Sequence, residues 1–494
     1  MRTPKQRTTP LLSQLLISSQ RRHAGFYTPG HKQGKGASAA LRSLLTKFTL
    51  AADLPELPEL DNLFAPEHVI AEAQDLAAQL YGADTTYFLA NGSTCGIEAA
   101  VLATCNPGDR ILIPRNAHRS VLSALVLSGA MPIYLQPAYD ADWDLAGGID
   151  PQAIATALDT YSDIRAVLLV SPTYHGICSD LKTVAAIAHS RNIPLLVDEA
   201  HGAHFGFYPE LPESAIAAGA DIAVQSTHKT LGALTQAAML HIQGNQIDRD
   251  RLNQALQLTQ STSPNYLLLA SLDAARQQMA VEGQFLIERT LKLAIEAHQT
   301  LSKISDLRVF ELADAAPPGF FDWDATRLTV DVSHLGITGF DADEWLHSKA
   351  GVTAELPALK HLTFIISLGN TAEDIEQLAS GFTRLTKERH NSSTPSNKSI
   401  KVAHPPEDYQ SASLPSRSPR DAFFSKTQIV STDKAISHIS ADLICPYPPG
   451  IPLIFPGEII TADAIAQLQD IQAAGGIILG SSDAQLNYWR VICQ

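Results

Sequence analysis

From residue 85 onward, short apolar runs alternate with longer segments of helical periodicity. The runs fall at 86–90, 110–114, 131–135, 166–171, 194–197, 222–225 and 237–241. Each is short enough for a buried strand, and strands alternating with helices predict a mostly parallel sheet covered on both faces, an α/β architecture. Upstream, 10–19 reads as a short amphipathic helix with Leu11, Leu12, Leu15 and Leu16 on one face. A further helix is expected over 39–47, no regular structure over 53–63, and a helix over 66–80 with Pro66 near its first turn. Downstream, 249–258 and 267–301 are helical patterns, and 307–368 returns to a mixture with strands at 328–332 and 362–368. Residues 391–418 are rich in Ser, Pro, Asn and Lys and poor in large apolar residues, the composition of a linker.

These patterns predict an N-terminal segment 1–65, a large domain 66–302, a smaller α+β domain 303–390, a linker 391–420 and a C-terminal domain 421–494. Hydrophobic content returns in that last stretch, around the Pro-rich turn 445–452.

In open parallel sheets, ligands gather outside the carboxyl ends of the strands. Polar residues stand at five such places: 91–94, His118, 174–175, 198–201 and 226–229. The central stretch is QSTHKTLG (225–232), where Lys229 lies just past a strand end with Ser226 and His228 close by. A lysine there suits a carbonyl-trapping amine, which is nucleophilic only when partly deprotonated. NGSTCG (91–96) puts hydroxyls and flexible backbone at a helix start, a phosphate site or simply an N-cap. Asp198 ends a buried strand and calls for a cationic partner such as a protonated pyridine nitrogen. His118 could stack on a planar ring or cap its helix through the backbone.

DEAH at 198–201 also matches an NTPase strand, but that function needs a G-x-x-x-x-G-K-[ST] loop, and the chain has none. His201 and His204 are spaced three apart with no third ligand nearby, so no metal is expected. With 51 acidic against 36 basic residues, the net charge of −15 disfavours nucleic acid as a partner. The five cysteines are scattered without metal-ligand spacing, which points to a reducing compartment. No run approaches the roughly 18 apolar residues that span a bilayer. The first 52 residues carry nine Lys or Arg and no acid, as transit peptides do, yet 27–32 belongs to the folded part, and the expected location is the cytoplasm.

Taken together, the motifs resemble the Orn/Lys/Arg decarboxylases. They are YTPGHKQGKG (27–36), FLANGST (88–94), PRNAHRS (114–120), SPTYHG (171–176), VDEAHGAHFGF (197–207), QSTHKTLGALTQ (225–236), STSPNYLLLASLDAAR (261–276) and PYPPGIPLIFPGE (446–458). They follow one another over nearly the whole chain. The resemblance implies a fold-type-I pyridoxal-phosphate enzyme, with a large domain built on a mostly parallel seven-stranded sheet and smaller α+β C-terminal domains.

Carried over by position, Lys229 would hold pyridoxal 5′-phosphate on its ε-amine and Asp198 would pair with the ring nitrogen. His118 would stack on one ring face with Ala200 against the other. Ser93, Thr94, Ser226 and His228 would surround the phosphate, and His201 would orient groups near Lys229. Glu355 matches the acid that meets the substrate's distal cation, and a buried carboxylate there would need such a cation. The implied reaction is decarboxylation of a basic L-amino acid, arginine or lysine ahead of ornithine, to the corresponding amine and CO2. The resemblance also implies at least a homodimer, with 261–266 near the partner's cofactor.

Gly232-Ala233 stand where the family commonly has a proline, and no receiver-like wing precedes the catalytic part, as in the short biosynthetic-type members. Two other readings remain open at this level: an aminotransferase or lyase of the same fold, and a cofactor-free paralogue acting as a binding subunit.

Overall fold

The computed structural model describes residues 4–313, 316–391, 412–447, 452–473 and 476–493. Most of the expected linker and the centre of the 445–452 turn lie outside the described residues. Seven strands form one mostly parallel sheet: β1 (Thr85–Leu89), β2 (Arg110–Pro114), β3 (Met131–Leu135), β4 (Ile164–Val170), β5 (Leu195–Asp198), β6 (Ile222–Gln225) and β7 (Ala238–Ile242). Three have the bounds expected from hydrophobicity, and the others are displaced by a residue or two. The chain divides into two compact units, 1–104 with 196–287, and 105–195 with 288–494.

In the first unit the strands run in the order β1, β7, β6, β5. β5 and β6 are parallel with Asp198 opposite Val224, while β7 runs against both its neighbours. Gly96 lets the helix Gly92–Thr104 lie close to the sheet, because a Cβ there would come within 2.7 Å of Leu89 and 2.8 Å of Val224.

The expected helix at the N-terminus forms over Pro10–Ser19. Its buried face is narrower than hydropathy alone indicates, since Leu11 and Leu15 are buried, four residues apart, whereas Leu16 is 50 % exposed. Asp273 accepts hydrogen bonds from the backbone N–H groups of Leu11 and Leu12, satisfying amides that a helix start leaves open. Asp273 is itself paired at 2.6 Å with Arg276, and both side chains are fully buried. The 39–47 helix is instead two short helices, Ala39–Leu44 and Lys47–Ala52, because Thr46 caps the second by accepting from Thr49 N–H.

The 53–63 stretch is irregular as expected apart from one turn, yet much of it is buried. It contains a 3-10 turn, Pro58–Leu60, and buries Leu54, Leu60 and Leu63 in the same core as Phe88, Met239 and Tyr266. The helix expected from Pro66 starts at Val69, after Asp61 has collected the amides of Glu67, His68 and Ile70.

In the second unit β4, β2 and β3 run parallel in that order. The α+β part expected beyond residue 303 is a four-stranded antiparallel sheet. It comprises Arg308–Val309, Arg327–Asp331, His361–Ile365 and Leu356–Pro357, in that spatial order. Leu328, Val330, Leu362 and Phe364 pack with Leu378, Phe382 and Leu385 of the helix Ala372–Asn391. A third core gathers Leu468 and Ile471 of the helix Ala462–Ala473 with Trp489 and Val491. Among the described residues, no helix is long and apolar enough to cross a membrane.

Candidate active site

β1 leads through Ala90-Asn91 into the helix Gly92–Thr104, and Gly92 makes that turn with φ +76°. Ser93 and Thr94 lie in the first helical turn, where backbone amides lack intrahelical acceptors and the helix dipole is positive. The buried Ser226, just past β6, donates from Oγ to Ser93 Oγ at 2.8 Å. Two of the four residues assigned to a phosphate are therefore in contact. Thr94 is exposed on the same helix end. His228 uses Nδ1 to donate to Ala237 O at 3.0 Å, so that side of its ring is committed to the backbone.

Lys229 sits in the short helix Thr227–Thr230, one turn beyond β6, and its Nζ lies 3.0 Å from Nε2 of His201. His201 is buried, as are Asp198 and Ala200. The four residues of β5 are all buried, which delivers Asp198 to the strand end with its carboxyl shielded from water. The N–H of Ala200 donates to Asp198 Oδ1 at 3.2 Å. Among the described residues no group of three His, Cys, Asp or Glu is arranged to hold a metal.

Next to Asp198 runs a chain of side-chain hydrogen bonds that no sequence motif marks. Glu199 accepts from Ala215 N–H at 2.7 Å and from Gln225 Nε2 at 2.8 Å. Gln225 Oε1 meets His241 Nε2 at 3.1 Å, and His241 Nδ1 meets Thr86 Oγ1 at 2.8 Å. All four residues are buried, one each from β1, β7 and β6 and one just past β5. Burial pushes the Glu199 carboxyl up to about 8 against the pull of Gln225 and Ala215, and pushes His241 down to about 3. Two adjacent residues of each strand end, 198–199 and 225–226, were visible as polar. The involvement of His241 and Thr86 follows only from strand pairing, which sets them opposite one another.

His118 and Glu355 belong to the second unit. His118 is the exposed N-cap of the helix Arg119–Ser128, and its Nδ1 accepts from Ser120 N–H at 3.2 Å, the capping alternative. Glu355 is exposed in this chain, so burial supplies no argument for its role. Three residues before His118, Arg115 forms a bidentate pair with Glu458 at 2.7 and 2.8 Å and also donates to Leu453 O. Its guanidinium lies over the rings of Tyr134 and Phe455. Both motifs, PRNAHRS and PGE, were visible in the sequence, but nothing in their spacing joins them.

The groups on the first unit match a ligand with an aldehyde, a pyridine nitrogen and a phosphate. They are a primary amine bonded to an imidazole, a buried carboxyl at a strand end, and two linked hydroxyls at the start of a 13-residue helix.

The profile described as "Orn/Lys/Arg decarboxylase, major domain" matches residues 9–317, and the one described as "Orn/Lys/Arg decarboxylase, C-terminal domain" matches 402–476. The arginine decarboxylase of Bacillus subtilis (strain 168) is 37 % identical over 99 % of this chain and 98 % of its own. That of Bacillus anthracis is 38 % identical over 99 % and 98 %. Among solved structures, the lysine decarboxylase LdcF of Francisella novicida superposes with a TM-score of 0.83 at 24 % identity, covering 99 % of this chain and 82 % of that one. The fold is that of the pyridoxal-phosphate-dependent enzymes of fold type I. By these matches, and by the motifs that hold Lys229, His201, Ser226 and Ser93 together, the chain belongs to the Orn/Lys/Arg decarboxylase family.

Proposed function

We propose that the protein is a pyridoxal-phosphate-dependent arginine decarboxylase, converting L-arginine and a proton to agmatine and CO2. The observation that carries the reading is the 3.0 Å contact of Lys229 Nζ with His201, set beside a buried Asp198, in a chain similar over its full length to arginine decarboxylases.

In this reading Lys229 holds the cofactor through its ε-amine. Ser93, Thr94, Ser226 and His228 take the phosphate, Ala200 packs against one ring face and His118 against the other. Bound there, the cofactor supplies an electron sink for the pair left at Cα when CO2 departs. Asp198 keeps the ring nitrogen protonated, and its burial makes that pairing strong because a buried carboxylate without a cation is costly. His201 holds or moves a proton at Lys229 Nζ, which must exist as a free amine to exchange with the substrate's amine. Glu355 faces the guanidinium of the substrate. The protein acts in the cytoplasm as a homodimer or larger homo-oligomer, with 261–266 of one protomer close to its partner's cofactor.

Incubating purified protein and pyridoxal phosphate with arginine, lysine or ornithine, and identifying the products by mass spectrometry, tests the assignment. Agmatine as the dominant product is expected. A keto acid, or no CO2 from any of the three, would overturn it.

A further inference from the structure

One carboxyl in the first unit has no part in the scheme above. Glu199 follows Asp198 directly, is 1 % exposed, and is bonded by its backbone N–H to Val224 O at 3.0 Å and by its side chain to Gln225. Asp198 stands on one side of that link. On the other side, Gln225 is followed by Ser226 and, three residues later, by Lys229. Glu199 to Gln225 is thus a cross-brace between the two strand ends that carry the carboxyl, the hydroxyl and the amine.

The brace has a direction. Gln225 can donate to Glu199 only with its amide nitrogen, which turns its oxygen towards His241. His241 must then donate from Nε2 and accept at Nδ1, where Thr86 Oγ1 donates. Every donor points the same way, from β1 through β7 and β6 to Glu199, and each buried polar atom in the path has its partner. Tyr81 packs on the His241 ring with centroids 4.6 Å apart, which holds the imidazole in its plane.

We propose that Glu199 is a positioning residue for the decarboxylation: braced by Gln225, His241 and Thr86, it fixes the separation of the strand ends bearing Asp198 and Ser226–Lys229. This rests on the reading of those residues as the cofactor site. Misplacing a reacting group by about 1 Å costs on the order of 100-fold in rate. A brace that sets such a distance is therefore felt in turnover and in cofactor affinity before it is felt in substrate binding.

The test is a reciprocal exchange. Gln225→Glu alone sets a second carboxyl against the Glu199 carboxyl, so the two acids repel or must share an added proton. Glu199→Gln with Gln225→Glu restores every bond in mirror order. The amide placed at position 199 accepts from Ala215 N–H and donates to the carboxylate placed at position 225, whose other oxygen accepts from His241. The readouts are kcat and KM for arginine, the dissociation constant of pyridoxal phosphate measured by equilibrium dialysis, and thermal unfolding.

The single variant is expected to lose about 10- to 100-fold in kcat and to bind the cofactor about tenfold more weakly, with KM changed less than about threefold. The exchanged pair is expected to recover both losses to within about threefold of the parent. A single variant indistinguishable from the parent in both readouts would overturn the proposal. So would an exchanged pair that folds but stays as impaired as the single variant, or one that fails to fold, since it keeps every hydrogen bond. If Gln225→Glu itself does not fold, the exchanged pair decides alone. An inactive parent that binds no cofactor would instead refute the reading of the site, which separates the two failures.

Discussion

Two buried polar clusters, one in each unit, are built around histidine and satisfied in different ways. In the first, Thr86, His241, Gln225 and Glu199 hand hydrogen bonds along in one direction, and the imidazole uses both nitrogens. In the second, the rings of His175 and His361 meet edge to face at 5.2 Å, beside the buried Arg327 and Asp324. There, among the described residues, Nε2 of His175 has no partner at hydrogen-bond geometry, and His361 meets the Asp144 backbone only loosely. The first cluster is a brace that needs each member. In the second, the two rings pack against each other and burial favours their neutral form. The difference teaches that a buried histidine is kept neutral in two ways, inside a completed chain of donors or by ring packing.

The largest effect that could break this contrast is His241→Phe. The ring shape survives, but Gln225 Oε1 and Thr86 Oγ1 are both stranded in the core, at about 1–3 kcal/mol each. A loss of about 2–5 kcal/mol in urea denaturation is expected. A loss below about 1 kcal/mol would mean that the brace is not rigid.

Acid sharpens the comparison next. Burial pushes His361 down to about 4, with the neighbouring Asp331 and the Asp144 backbone pulling the other way, and burial holds His175 far below its usual range. Between pH 6.5 and about 4 the unfolded chain binds a proton at position 361 that the folded chain refuses. Stability therefore falls as pH drops through that window, by on the order of 3 kcal/mol from this one residue, and the loss ends below it. Urea midpoints measured at pH 7 and pH 4.5 should show the fall in the parent and a shallower one in His361→Phe.

The smallest expected effect is His361→Phe at pH 8. Replacing an imidazole that holds the Asp144 backbone only loosely by a similar apolar ring should change stability by less than about 1 kcal/mol in either direction. A large loss would reveal a bond to that imidazole and would erase the distinction between the clusters.

Much of the sheet was legible because buried parallel strands are continuous apolar runs, as in 110–114, 131–135 and 222–225, which appear with those bounds. The strand ends were legible too, since a polar residue that closes such a run must have a partner. Harder to read were features fixed by tertiary pairing. Composition predicted no regular structure over 53–63 but not its burial, and its leucines fill the core beneath the Pro10–Ser19 helix. Hydropathy placed Leu16 on the buried face, and the tilt of the docked helix exposes it. His241 lies inside a strand of otherwise apolar residues, and only its register opposite Thr86 reveals what it does. Arg115 and Glu458 are separated by 343 residues, a pairing that no local pattern encodes.

Lys229 is the residue on which the proposed chemistry depends. The most direct measurement compares the parent with Lys229→Ala, each loaded with pyridoxal phosphate and dialysed. It reads agmatine formed from arginine together with the visible absorbance that survives dialysis. The parent should form agmatine and keep its colour, while the variant loses the colour and at least about 10³-fold of the activity. A variant that still makes agmatine at a comparable rate would contradict the assignment.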